Sequence, residues 1–350
     1  MNVQKIAELA KTSPASVSLV LNNKWRKKVN LLVAKRVMRI VDKHAYVRNS
    51  AGRGLAMQRS FRVALCVEGS LAEHPVMGWF SFHEHFFIIT AKLNDAGYAI
   101  DILQQPAQRG ELSGKKRSML QNDDATIFLA PEAFNKAHFY DDFKIQKPFL
   151  VVDADLKDPD LCYIYTDSCA STEEAISYFL ANGHKRVGFI AHDKGIKPDT
   201  RFENKIRGYK KALLKYDIGF DPRLVFKKGS KNFMQLGVNG GQELFSLVDR
   251  PTAFFCTDNM HAIGLLTYLR EGGIRVPEDV EIIGFGDQAV AELCEPSISY
   301  IRRPIKEMAE LGVDKILKWL DEKEDFAPIQ IECKEELMLR GSTRIQNTAK

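Results

Sequence analysis

Two stretches near the N-terminus decide how this chain is read: Val3-Gln-Lys-Ile-Ala-Glu-Leu-Ala10 and Ser13-Pro-Ala-Ser-Val-Ser-Leu-Val-Leu-Asn22. In the first, Ile6, Leu9 and Ala10 recur at the i, i+3, i+4 spacing of one helical face. In the second, Ser13 is a good N-cap, and Pro14 falls at the first helical position, where its missing N–H costs nothing. Val17, Val20 and Leu21 then carry the apolar stripe onward. Asn30 caps a third helix that turns Val33, Val37, Ile40 and Val41 inward. Two short helices joined by a tight turn, with a third packed across them, describe a helix-turn-helix head over residues 1–46. The free face of its second helix presents Ser13, Pro14, Ala15, Ser16, Ser18, Leu19 and Asn22.

The charge lies in the same place. Residues 1–60 hold thirteen Lys or Arg and two acids, a charge of +11; the 350-residue chain as a whole is +5, which leaves −6 for the rest. A basic head on an acidic body calls for a polyanionic partner for the head alone. A solvated basic tail would lack the head's apolar periodicity. No stretch approaches 18 uncharged apolar residues, so no helical membrane span is expected. Met1 to Ala10 carries Lys5 and Glu8 where a secretory signal would have an apolar run, so the expected location is cytoplasmic. Cys66, Cys162, Cys169, Cys256, Cys294 and Cys333 are scattered without a C-x-x-C, the pattern of buried reduced thiols, and no metal or cofactor is expected.

From Phe61 onward, strand and helix patterns alternate. Strand-like runs are Arg62–Val67, Ala99–Leu103, Ala125–Ala130, Phe149–Val152, Arg186–Ala191, Thr252–Cys256 and Val280–Phe285. Near-continuous apolar strands separated by helices imply parallel sheets covered on both faces. A second block begins near Asp167, which predicts two doubly wound lobes with a ligand cleft beyond the carboxyl ends of their strands.

With these phrases in place, the chain resembles the lactose-repressor (LacI/GalR) family, whose recognition helix reads V-S-x-x-T-V-S-R-V-L-N. Further matches are Gly272-Gly-Ile-Arg-Val-Pro-Glu-Asp-Val-Glu-Ile-Ile-Gly-Phe-Gly-Asp287, Asn182-Gly-His-Lys-Arg-Val-Gly-Phe-Ile190, Arg207-Gly-Tyr-Lys-Lys-Ala-Leu213 and Pro296-Ser-Ile-Ser-Tyr-Ile-Arg-Arg-Pro304. The segment Gly69 to Gly78 matches poorly. The resemblance implies an α/β protein: a three-helix head and a two-lobed, doubly wound parallel-sheet core like that of periplasmic binding proteins. The expected boundaries are head 1–46, hinge 47–60 and core 61–345. Lobe 1 takes about 61–165 plus a return segment near 297–325, and lobe 2 takes about 166–296 plus 326–345.

Departures from the family carry information. Lys11 stands where relatives have a turn glycine, so a non-Gly residue is expected at positive φ. Leu19 replaces an Arg that reads guanine in many relatives. Pro14, Ala15 and Leu19 make an apolar reading face suited to thymine methyls, while Ser13, Ser16 and Ser18 remain donors to phosphate or base. Tyr46 to Met57 occupies the hinge position, where relatives form a short helix on DNA and wedge a leucine into the minor groove. Leu55 is the matching leucine, with Asn49 and Arg53 as accompanying contacts, although Gly52 and Gly54 are poor helix formers and Arg48 replaces a Pro.

For the cleft, the resemblance implies a small-molecule effector, a sugar first. Lys205 and Arg201 also suit a sugar phosphate, a sugar acid or a purine. Asp153 matches a sugar-hydroxyl acceptor. Lys205, three before Gly208, holds the place of a ligand-binding Arg, for which Arg201 is a nearby substitute. Asp258 and Asp287 end strands, where the plain alternative is a strand-end cap or surface charge. Phe80 and His83 open the first core helix, and Phe233 is placed to stack on a ligand.

Two other classes share part of this pattern. Gly284-Phe-Gly-Asp-Gln-Ala289 satisfies G-x-G-x-x-A, but Glu295-Pro296 and the run Ile298–Ile301 leave no room for the crossover helix of a nicotinamide enzyme. An exported solute-binding protein would share the two-lobed core but not need a +11 head. No catalytic constellation stands out. The sequence reads as a transcriptional regulator, a repressor, that binds double-stranded operator DNA as a homodimer, since a two-fold protein matches a palindromic site.

Overall fold

The computed structural model describes residues 1–21, 25, 28–44, 46, 59–68, 80–105, 120–129, 147–193, 200–230, 232–286, 288–322 and 326–344. The chain divides into a unit of residues 1–60 and a unit of residues 61–350.

In the first unit, Asn2 caps α1 (Val3–Leu9) by accepting from the Lys5 amide at 2.8 Å. Helix α2 (Pro14–Leu21) follows a turn in which Lys11 adopts φ 48°, the left-handed conformation expected where the family's glycine is missing. Ser13 caps it, its hydroxyl accepting from the Ser16 amide at 3.1 Å. Asn30 caps α3 (Leu31–Lys43) through the Leu32 amide. Ile6, Ala7, Ala10, Val17, Val20, Ala34 and Val37 form the core. Ile6, Val17 and Val37 are fully buried, each worth about 1.5–3 kcal/mol. Leu9, expected inward, is 47 % exposed; Ala7 takes its place, because the buried stripe is shifted round the helix by part of a turn.

The second unit builds two six-stranded sheets. In chain order its elements begin β1 (Arg62–Glu68), α4 (Phe80–Asp95), β2 (Ala99–Gln105), β3 (Ala125–Leu129), β4 (Phe149–Val152) and β5 (Tyr163–Tyr165). The chain then crosses to α5 (Ser168–Ala181), β6 (Val187–His192), α6 (Thr200–Lys215), β7 (Val225–Lys228), α7 (Phe233–Phe245), β8 (Ala253–Cys256), α8 (Asn259–Glu271), β9 (Glu281–Gly286), α9 (Gln288–Glu292) and β10 (Ser299–Arg302). It returns for α10 (Ile305–Leu317) and β11 (Gln330–Glu332), then crosses once more to β12 (Glu336–Met338). The sheet orders are β2-β1-β3-β4-β5-β11 and β7-β6-β8-β9-β10-β12. All pairings are parallel except β10 with β12.

Both sheets are covered on both faces, which explains the continuous apolar strands. In lobe 1, Val63, Leu65, Ile127, Leu150 and Val152 face Ile89 and Leu93 of α4 and Met308, Val313 and Ile316 of α10. Alternate residues Ala64, Cys66, Phe128 and Val151 face the other way. In lobe 2, Phe189, Phe255 and Ile283 meet α5 and α6, while Ile190, Phe254, Cys256 and Ile282 meet α7 and α8. Gly183 ends α5 at φ 91°, as its sequence position requires.

The lobe boundaries move from the expected ones. Ser299–Arg302 pairs within the lobe 2 sheet and Gln330–Glu332 within the lobe 1 sheet, so the later crossings lie at 303–304 and 333–335 instead of near 297 and 326. The apolar run at 298–301 leads into β10, which pairs with β9 in the lobe 2 sheet, and is not a return to lobe 1.

Candidate functional site

On the head, α2 buries Val17 and Val20 and leaves the opposite side open. Ser13, Pro14 and Ala15 are exposed, and Ser16, Ser18 and Leu19 are partly so. Ser13 is already committed as the cap, and its hydroxyl also lies 3.0 Å from that of Ser16. Ser16 and Ser18 present hydroxyls on α2, and Ala15 and Leu19 present apolar surface. Asn22, Asn49, Arg53 and Leu55 lie outside the described residues.

In the core, residues at strand carboxyl ends gather in two groups. The first is ionic. Asp153 follows β4 with φ 69° and is 7 % exposed. Its carboxylate accepts from Arg303, on the second crossing, and lies 3.5 Å from the Arg201 guanidinium of α6. Burial opposes the charge, but Arg303, Arg201 and His85 outweigh it and hold the Asp153 carboxyl at about 2. Arg303 also faces Glu335 at 3.8 Å. Asp153, matched by sequence to a hydroxyl acceptor, therefore has its oxygens turned to two guanidiniums here.

The second group is aromatic. Lys205 is buried, with its ammonium 3.9 Å from the centre of the Phe285 ring at the end of β9. Phe233 opens α7 between His192 and His261, at ring-centroid distances of 4.9 and 5.4 Å. His261 is held down to about 3, first by burial and then by His192, so it stays neutral. Asp258 caps α8 by accepting from the Met260 amide at 2.7 Å, the structural role that its strand-end position allowed. His83 is partly exposed on α4 beside the buried Phe82. Asp287 and the Phe80 side chain lie outside the described residues.

Sequence reasoning missed Arg303, Glu335, His192 and His261. Arg303 stands inside a phrase quoted only for fold, and nothing in the pattern around Glu335 separates it from the chain's other exposed-looking acids. Among the described residues no group of His, Cys, Asp or Glu is arranged to hold a metal ion, and no helix is long and apolar enough to cross a membrane. The cysteines are free, and all but the half-buried Cys294 are buried.

Residues 2–49 match the profile of the lacI family of bacterial regulatory proteins, and residues 176–343 match that of a periplasmic binding protein-like domain. The chain belongs to the lacI family. Among its relatives, the "Probable HTH-type transcriptional repressor ExuR" of Bacillus subtilis (strain 168) is 26 % identical over 344 residues, covering 98 % of each chain. Among solved structures, the lac repressor dimer bound to operator and the anti-inducer ONPF superposes with a TM-score of 0.74 at 18 % identity, over 98 % of this chain and 99 % of that one. The transcriptional regulator CelR–cellobiose complex gives 0.66 at 22 % identity, over 98 % and 99 %. At such identities these structures establish the shared fold of this lacI-family chain: a helix-turn-helix head and a two-lobed core.

Proposed function

We propose that the chain is a sequence-specific, DNA-binding transcriptional repressor, working as a homodimer in the cytoplasm, whose operator affinity is switched by a small molecule bound between the core lobes. The observation that carries this reading is the charge of +11 on residues 1–60, with α2 turned outward, against −6 on the rest of the chain. Ser13, the cap of α2, and Pro14, Ala15, Ser16, Ser18 and Leu19 within it are assigned to the DNA, together with Asn22, Asn49, Arg53 and Leu55. Phe80, His83, Asp153, Arg201, Lys205, Phe233, Asp258 and Asp287 are assigned to the effector.

A sugar or sugar derivative is the favoured effector class, because an aromatic ring such as Phe233, together with the cations and carboxylates assigned here, suits hydroxyl-rich solutes. The cellobiose complex of CelR supports this choice by likeness. No step of the reading requires a cofactor or catalysis.

A thermal-shift screen of sugars, sugar phosphates, sugar acids and purines against the purified chain tests the effector class, since specific binding raises the stability of the core. A solute that stabilises the wild type should lose most of its effect in Lys205→Ala. Failure of every class to shift the core would overturn the sensor reading.

A further inference from the structure

Three strands of chain cross between the lobes, at 166–167, 303–304 and 333–335, and one buried carboxylate touches all of them. Glu335, 5 % exposed, sits on the third crossing. It accepts hydrogen bonds from Thr166 Oγ1 on the first crossing at 2.6 Å, and from Ser168 Oγ at 3.2 Å and Ser171 Oγ at the start of α5. On the second crossing, Arg303 brings its Nε to 3.8 Å. The far side of the same guanidinium donates to Asp153 at the cleft end of β4. The Arg303 and Asp153 side chains are 9 % and 6 % exposed, so neither can turn to water for a replacement partner.

We propose that Arg303 is a positioning residue that ties Asp153 to the three interlobe crossings through Glu335. Arg201 and Arg303 divide the Asp153 carboxylate unequally. Arg201 is 37 % exposed and approaches no closer than 3.4 Å, whereas Arg303 is buried and in direct contact. A hydroxyl arriving from the cleft displaces Arg201 readily. It takes an oxygen from Arg303 only by shifting a guanidinium that also braces Glu335. A buried charge that loses its partner is costly, so the disturbance passes to the crossings instead of ending at Asp153. Occupation of the cleft and the setting of the interlobe crossings thereby become one equilibrium. This inference rests on the reading of the cleft as the effector site for its purpose, though not for its test.

The test is hydrogen–deuterium exchange by mass spectrometry on the full chain, needing neither effector nor DNA. Asp153→Asn is expected to speed exchange at least fivefold at the amides of Thr166–Ser171 and Cys333–Glu336, which Asp153 does not touch. Glu335→Gln is expected to do the same reciprocally at 151–155. In an Arg303→Gln background neither change should add anything, and Arg303→Lys should restore part of the protection. Acceleration confined to each substituted residue's own neighbours would overturn the proposal. If Arg303→Gln does not fold, the reciprocal Asp153 and Glu335 pair still decides it. An empty solute screen would sink the sensor reading while leaving this exchange pattern to be judged by itself.

Discussion

Phe233 and His261 lie face to face, their ring centroids 5.4 Å apart and their planes within 8° of parallel. Phe233 starts α7 and His261 lies in the first turn of α8, so the stack depends on how closely these helices approach. Two glycines set that distance. A Cβ on Gly237 would stand 2.0 Å from the His261 carbonyl oxygen, and one on Gly264 would stand 1.9 Å from that of Met234.

Gly264→Ala should therefore force the helices apart, because the obstructing atoms are backbone and cannot rotate away. The expected cost is about 1–3 kcal/mol or more, typical of overpacking in a close-packed core. It would be read as a lower urea midpoint for the core transition. Gly183→Ala, with no atom within 4 Å, should suffer only the penalty of its φ of 91°. An unchanged midpoint for Gly264→Ala would mean that the helices are not in this register.

The buried imidazole predicts a pH response. His261 is held at about 3 in the folded chain, against an ordinary 6.5, so the unfolded chain takes the proton first. The stability contributed by keeping it neutral is complete above pH 6.5 and is lost progressively as pH falls toward 3. Asp123 works in the opposite sense over part of this range. Burial, reinforced by Asp101, raises it to about 7, so its contribution is complete below pH 3.8 and fades as pH rises through 7. Comparing wild type with His261→Phe isolates the histidine and preserves an aromatic stack. Between pH 7 and pH 5 the wild type should lose at least about 3 °C more in Tm than the variant. Parallel curves would contradict a neutral, buried His261.

Much of the head was legible because its signals are local. Ser13 caps and Pro14 opens α2 as their order requires, and Lys11 takes the positive φ that a missing glycine imposes. The seven expected core strands were visible as apolar runs long enough to cross a sheet. β11 and β12, at three residues each, carry no such pattern and form as the outer neighbours of β5 and β10. The ionic half of the cleft was legible only in part. Resemblance points to Asp153 and Arg201, but Arg303 and Glu335, the latter 182 positions from Asp153, each read singly as an ordinary surface charge. Only the crossings bring them together.

Leu19 offers a test of readout. It stands partly exposed on α2 where many relatives have a guanine-reading Arg. Leu19→Arg should move half-site preference toward G at one position, by about 1–3 kcal/mol of discrimination. Selection from a random duplex library with each protein measures this. Identical preferred sites would place Leu19 away from the bases.

The central claim, that the basic head alone reads DNA, is tested most directly by titrating one selected duplex at 50 to 200 mM salt with the full chain and with residues 61–350. The full chain should bind with an affinity that falls about a thousandfold or more over that range, as several Lys and Arg contacts to phosphate release counterions. The shorter chain should show no binding at any salt concentration. A salt-independent affinity for the full chain, or retention of the duplex by residues 61–350, would contradict the account.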